Sequence, residues 1–168
     1  MESEVFNKNV EWNLVQVGVQ VGHAEKVKTR ARSGYYKSAI MLASAIVEAL
    51  TYKVLEKNSS MEMPLEDWKC VRSNLLSPAY KSDKAERLSI CERVKQKFKL
   101  TRQTDFKKVN EVCLALGLFS KGLFNKIEKI RHLRNKIHIQ GLENLDRSYT
   151  KHELEFIGSV MNELLNKV

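Results

Sequence analysis

YYKSAIMLASAIVEALTYKVLEK, residues 35–57, is apolar almost all the way round when wound into a helix of about 3.6 residues per turn. Tyr36, Ile40, Ala43, Val47, Leu50 and Val54 line one face, while Met41, Tyr52 and Leu55 cover another. A helix with no clearly polar side belongs at the centre of a bundle, with other helices packed around it. Its small residues Ala39, Ala43, Ser44, Ala45 and Ala49 let neighbours approach closely. Glu48 is the one charge in the buried stretch. A lone carboxylate there would be costly, so it is expected to meet a cation or a hydrogen-bond donor, or to stay protonated.

Outward from this segment, apolar spacing predicts helices over 8–31, 35–57, 65–76, 83–98, 104–116, 120–139 and 150–167. Gly34, NSSMEMP (58–64), SPAYKSD (77–83) and Gly141 mark the breaks. The alternation VQVGVQV (15–21) is brief and flanked by helix formers, so strand signals are weak. Thr150 followed by Glu153 is a capping box that starts the last helix. Leu154, Ile157, Met161, Leu164 and Val168 form a seam on that helix, for core packing first and a dimer contact second. Two prolines and seven glycines, with abundant Lys, Leu, Glu and Ala, agree with an all-α fold. With no repeat and no long linker, residues 1–168 are expected to form a single domain.

The chain carries 29 Lys and Arg against 20 Asp and Glu, a formal charge of +9. Such a surplus attracts polyanions (nucleic acid, anionic membrane or an acidic protein) unless it serves only to solubilise the surface. Cys70, Cys91 and Cys113 are odd in number and lack metal-ligand spacing, so they read as buried free thiols in a reducing compartment. MESEVFNKNVEW at the start does not have the pattern of a signal peptide. The weakly charged run 38–52 is too short to span a bilayer, and the expectation is a cytoplasmic protein without membrane contact. His23 and His152 have no ligand-like companions within helical reach, and neither a metal nor a cofactor is expected. Gly-rich phosphate loops, serine-hydrolase elbows and zinc-protease motifs do not occur, which leaves those chemistries without support.

One polar patch interrupts the sixth predicted helix, in IRHLRNKIHIQG (130–141). Leu123, Ile127, Ile130, Leu133 and Ile137 define its apolar arc, and Arg134 falls roughly 25° from the centre of that arc. Arg131, Arg134 and His138 follow at i, i+3 and i+7, so they can converge, with Asn135 further toward solvent. Three explanations are open. Arg134 snorkels or pairs with Glu48 as a structural ion pair; it lines a helix–helix dimer interface; or it awaits an anionic ligand, with His138 placed for proton transfer.

Three segments carry a resemblance: SGYYKSAIMLASAIVEALTYKVLEK (33–57), LALGLFSKGLFNKIEKIRHLRNKIHIQG (114–141) and TKHELEFIGSVMNELL (150–165). Together they resemble a HEPN-type domain (higher eukaryote and prokaryote nucleotide-binding) over roughly 33–167. That family's ribonuclease motif is an Arg, then Asn, His or Asp, and a final His after about four to six residues. Here Arg134-Asn135 reaches His138 with three residues between, while Arg131-His132 reaches it with six. The chain therefore departs from the pattern at Arg134 and matches its spacing at Arg131. The resemblance implies an all-α bundle that dimerises through the motif helices and cleaves RNA without a metal from a composite Arg–His site. It implies His138 as proton acceptor, Arg134 or Arg131 on the scissile phosphate, Asn135 in support, and a 2′,3′-cyclic phosphate product. Glu48 is expected to orient Arg134 from the central helix. It also implies RNA as ligand, a homodimer, and an antitoxin or nucleotidyltransferase as partner protein in a toxin–antitoxin or phage-defence setting. The alternative is a catalytically silent module that binds nucleic acid, nucleotide or protein.

Further cations could track phosphates without sequence specificity. Lys95, Lys97, Lys99 and Arg102 stand out in the basic stretch 81–108, and Lys26, Lys28, Arg30, Arg32 and Lys37 form a second cluster. Phe98 and Phe106 could stack on bases, though core packing explains either one.

Overall fold

The computed structural model describes residues 2–58, 66–75, 87–95, 100–101, 103–137 and 148–168. The helix foreseen at the centre runs Thr29–Lys57 (α2). Around it lie Glu2–Lys26 (α1), Phe106–Ala115 (α3), Lys121–Ile137 (α4) and Lys151–Leu165 (α5), and α2 packs against all four. Tyr36, Ile40, Ala43, Val47, Leu50 and Val54 are all buried, together with Val109 and Val112 of α3, Ile127 and Ile130 of α4, and Ile157 and Leu164 of α5. The five helices form an all-α bundle, and its core is the one read from the apolar faces. Met41, read as part of a second covered face, is instead exposed.

The breaks between elements have local causes. Helix α3 starts at Asp105, whose carboxylate accepts a hydrogen bond from the Lys107 backbone N–H at 3.1 Å. It ends at Gly117, whose φ of 71° favours glycine, and the Leu118 N–H reaches back to the Cys113 carbonyl at 2.9 Å. Ser120 then accepts from the Leu123 N–H at 3.1 Å and opens α4. Glu153 accepts from the Thr150 N–H at 3.0 Å, the expected capping box of α5. The Tyr149 N–H donates to Ser33 Oγ at 2.8 Å, and Lys57 Nζ donates to the Val168 carbonyl at 2.6 Å. Those two ties at opposite ends set α5 parallel to α2.

Two expectations fail here. The break predicted at Gly34 lies at Val27 and Lys28, and Gly34 is inside α2. Lys28 takes an extended backbone, and Arg32 Nε donates to the carbonyls of Ala24 at 3.2 Å and Val27 at 3.0 Å, which satisfies the end of α1. The helices predicted over 65–76 and 83–98 are strands, Glu66–Leu75 (β1) and Arg87–Lys95 (β2). They pair antiparallel from Glu66 opposite Lys95 to Leu75 opposite Arg87, with Cys70 opposite Cys91 and a register shift between Cys70 and Arg72. EDWKCVRSNL and RLSICERVK contain no Ala, and Trp68/Cys70 and Leu88/Ile90 recur at the strand period of two. Among the described residues the strands pair with each other and touch no helix.

By length and composition α2 could cross a bilayer over Arg30–Lys57, which the run 38–52 alone understated. Of its apolar window 56% is buried inside the bundle, as expected of a core helix. Cys113 is the buried free thiol foreseen, and burial pushes its thiol up to about 12.

Candidate functional site

The end of α4 is organised by two carboxylates. Arg134 turns toward α2, where its Nη1 donates to Glu48 Oε2. The two side chains are 32% and 26% exposed, so the pair lies at the edge of the core with water within reach. Glu48 thus finds the cation that its place on an apolar helix demanded. One turn along α2, Tyr52 donates its hydroxyl to the Thr104 carbonyl. Burial raises the Tyr52 pKa, the negative charges of Glu48 and Asp105 raise it further, and Arg134 works against them.

Arg131 turns elsewhere. Its Nε and Nη2 donate to Glu128 Oε2 at 3.0 and 2.8 Å. The other oxygen, Glu128 Oε1, accepts from Asn110 Nδ2 of α3 at 2.9 Å. Asn110 is fully buried, and the same Nδ2 lies 3.3 Å from the Phe124 carbonyl. Burial alone would raise the Glu128 pKa. The hydrogen bonds from Arg131 and Asn110, with the charges of Arg131 and His132, outweigh it and hold the carboxyl below its ordinary value. The two arginines are therefore tethered to different carboxylates, one on α2 and one on α4 itself. Asn135 is exposed, as its position on the helix implied. His138 lies outside the described residues, as do Lys97, Lys99, Arg102 and Phe98. Lys95 closes β2 opposite Glu66, and Phe106 is buried in the core.

A groove that sequence reasoning missed runs between α4 and α5, with a volume of about 580 Å³. Lys129, His132, Lys136, His152, Glu153 and Glu155 line it, and Leu133 and Phe156 supply its apolar part. Lys129 Nζ stands 4.7 Å from the centroid of the Phe156 ring. The signal was present in Lys129, His132 and Lys136 at i, i+3 and i+7, but His152 joins them from another helix. Of the second basic cluster, Arg32 is engaged at the end of α1 and Lys37 lies 5.6 Å from the Tyr149 ring. His23 stacks on Tyr35 at 5.3 Å. Among the described residues no group of three or more His, Cys, Asp or Glu could hold a metal ion.

What the fold and these side chains define together is a helical bundle with an anchored arginine at the end of α4 and a groove of mixed charge between α4 and α5. No family model, no curated protein and no solved structure matches the chain.

Proposed function

We propose that the chain is a metal-independent RNA endonuclease of HEPN type, with a composite Arg–His site formed where the α4 helices of two copies meet. The observation that supports this reading is the Arg134–Glu48 pair. It holds a guanidinium at the edge of the core, one helical turn before His138 in the sequence. Glu48 engages Nη1, and a guanidinium carries five N–H donors, so Arg134 keeps donors for a phosphate. In the reaction His138 takes the proton of the ribose 2′-hydroxyl, and the 2′-oxygen attacks the adjacent phosphorus. Arg134 offsets charge developing on the phosphate oxygens, with Arg131 in reserve and Asn135 in support. The P–O5′ bond breaks, leaving a 2′,3′-cyclic phosphate and a 5′-hydroxyl. Lys129 and Lys136, on the α4 side of the groove and away from its Glu153 and Glu155, would meet neighbouring phosphates, with Lys95, Lys97, Lys99 and Arg102 as further contacts. A cytoplasmic toxin or phage-defence effector, with an antitoxin or nucleotidyltransferase as partner, is the setting that fits such an activity.

A second reading has its own observation. Both arginines already have carboxylate partners, Arg134 in Glu48 and Arg131 in Glu128, which also suits a catalytically silent module that binds nucleic acid, nucleotide or protein. One assay separates the two. The protein is incubated with mixed RNA in EDTA beside Arg134→Ala and His138→Ala variants of matched helicity. Cleavage that is lost in both variants and leaves cyclic-phosphate ends supports the nuclease. Binding without cleavage of any RNA sinks it in favour of the silent module.

A further inference from the structure

Helix α1 has two apolar faces, and the fold uses one of them. Phe6, Val10, Val17 and Val21 are partly buried and Ala24 fully, on the side that packs against α2. Among the described residues α1 packs against no other helix, and its tie to α5 is the Glu25–Lys151 ion pair at 3.6 Å. Val5, Trp12, Val15 and Val19 are exposed at 56%, 70%, 61% and 43%, and Leu14, at 39%, lies on another side of the helix. With about 100° per residue and Trp12 as origin, Val5 and Val19 fall roughly 20° to either side and Val15 at about −60°. The inward set centres near 140°, so the exposed stripe lies on the far side of the helix. A Trp and three Val aligned along a helix in water, with Lys8 among them at about −40°, mark a contact surface.

We propose that this stripe is where two copies of the chain dock, α1 against α1, antiparallel about a two-fold axis through Trp12. The spacing is self-complementary. Val5 and Val19 lie two turns to either side of Trp12, so the axis brings Val5 of one copy against Val19 of the other, with the tryptophans at the centre. Charge selects the same orientation. In the first half of α1 Glu2, Glu4 and Glu11 outnumber Lys8, which pairs with Glu4 at 2.9 Å, while at its end Lys26 and the following Lys28 outnumber Glu25. Antiparallel docking brings the net-negative end near the net-positive one and opposes the helix dipoles, whereas parallel docking would set like net charges together. The contact does not involve α4, so it stands or falls apart from the composite Arg–His site proposed above.

Site-directed crosslinking of the full chain tests it. Cys70 and Cys91 are replaced by serine, and the buried Cys113 is kept. Trp12→Cys, Val5→Cys and Val19→Cys are then made singly and treated with a short bis-thiol reagent. Trp12→Cys is expected to link to itself. An equimolar mixture of Val5→Cys and Val19→Cys is expected to give a linked dimer that neither gives alone. Sedimentation of the otherwise unaltered chain is expected to show Trp12→Glu weakening self-association by about tenfold or more at unchanged helix content. Val5→Cys linking to itself, absence of links at micromolar protein, or self-association indifferent to Trp12→Glu would each overturn the proposal. An Arg134→Ala variant that still links through Trp12→Cys would separate this contact from the one at α4.

Discussion

The seam between α2 and α4 and the pair β1–β2 are stabilised in different ways. Along the seam every tie joins parts of the chain distant in sequence: Ile127 and Ile130 of α4 are buried with Val47 and Leu50 of α2, and Glu48 meets Arg134. The strands are held by a ladder between themselves and, among the described residues, touch no helix. A two-stranded pair alone is marginal in water, whereas burial of branched apolar side chains stabilises a helix strongly. Two different stabilities follow, and they can be measured separately.

The largest effect is expected at Ile127, which is fully buried. Ile127→Ala should lower the unfolding free energy by about 2–5 kcal/mol, read as a shift of the urea midpoint. The matching change in the strands is Ser89→Pro, opposite Ser73, where the proline ring fixes φ and is poorly tolerated inside a ladder. It should leave the midpoint of the bundle within about 0.5 kcal/mol of the parent. Amide exchange in β1 and β2 should accordingly outpace that in α2 and α4. A midpoint that falls as far for Ser89→Pro as for Ile127→Ala would make the strands part of one cooperative unit.

Next in size is Asn110, the buried side chain that joins α3 to α4. Asn110→Ala removes the donor to Glu128 Oε1 and to the Phe124 carbonyl, and a buried polar group left unmatched costs about 1–3 kcal/mol. Asn110→Ala in a Glu128→Gln background should cost less, because the charge it served is gone. Equal losses in both backgrounds would show that Asn110 acts through packing alone.

These contrasts also explain what could be read from the residues alone. The central place of α2 was legible because a helix apolar all round has no other stable position, and the partner of Glu48 because a lone buried charge requires one. The Asn110–Glu128–Arg131 chain was not. Glu128 and Arg131, three residues apart on one helix, look like an ordinary surface pair until α3 delivers a buried Asn against them. The α4–α5 groove was hidden for the same reason, since His152 arrives from a second helix. The strands were misread because Leu88, Cys91 and Val94 also recur at near-helical spacing. The first helix break lies before Gly34 because Arg32 satisfies the carbonyls at the end of α1, a contact that residue propensity does not encode.

A smaller effect follows from Glu128. Its pKa in the folded protein is held below the ordinary value of 4.5, so it binds fewer protons folded than unfolded as the medium turns acidic. Its contribution is therefore fully present above pH 4.5 and is lost as pH falls through the lowered folded value. Urea midpoints taken downward from neutral pH should fall more steeply for the parent than for Glu128→Gln. Parallel curves would mean that Arg131 and Asn110 do not hold the charge in solution.

The smallest effect is expected at Arg134 and Glu48, and it bears most on the proposed site. The pair is about a third exposed, so water screens it and its coupling should be about 1 kcal/mol or less. A cycle of Arg134→Ala, Glu48→Gln and the double variant measures it in urea. The same four proteins, assayed on RNA, separate anchoring from chemistry. If Glu48 serves to hold Arg134 for a phosphate, Glu48→Gln should slow cleavage by far more than a coupling of that size lowers stability. It should add little once Arg134 is gone. Rate losses that merely add, or that track the fraction folded, would return the pair to a structural role and leave the edge of the core as its only function.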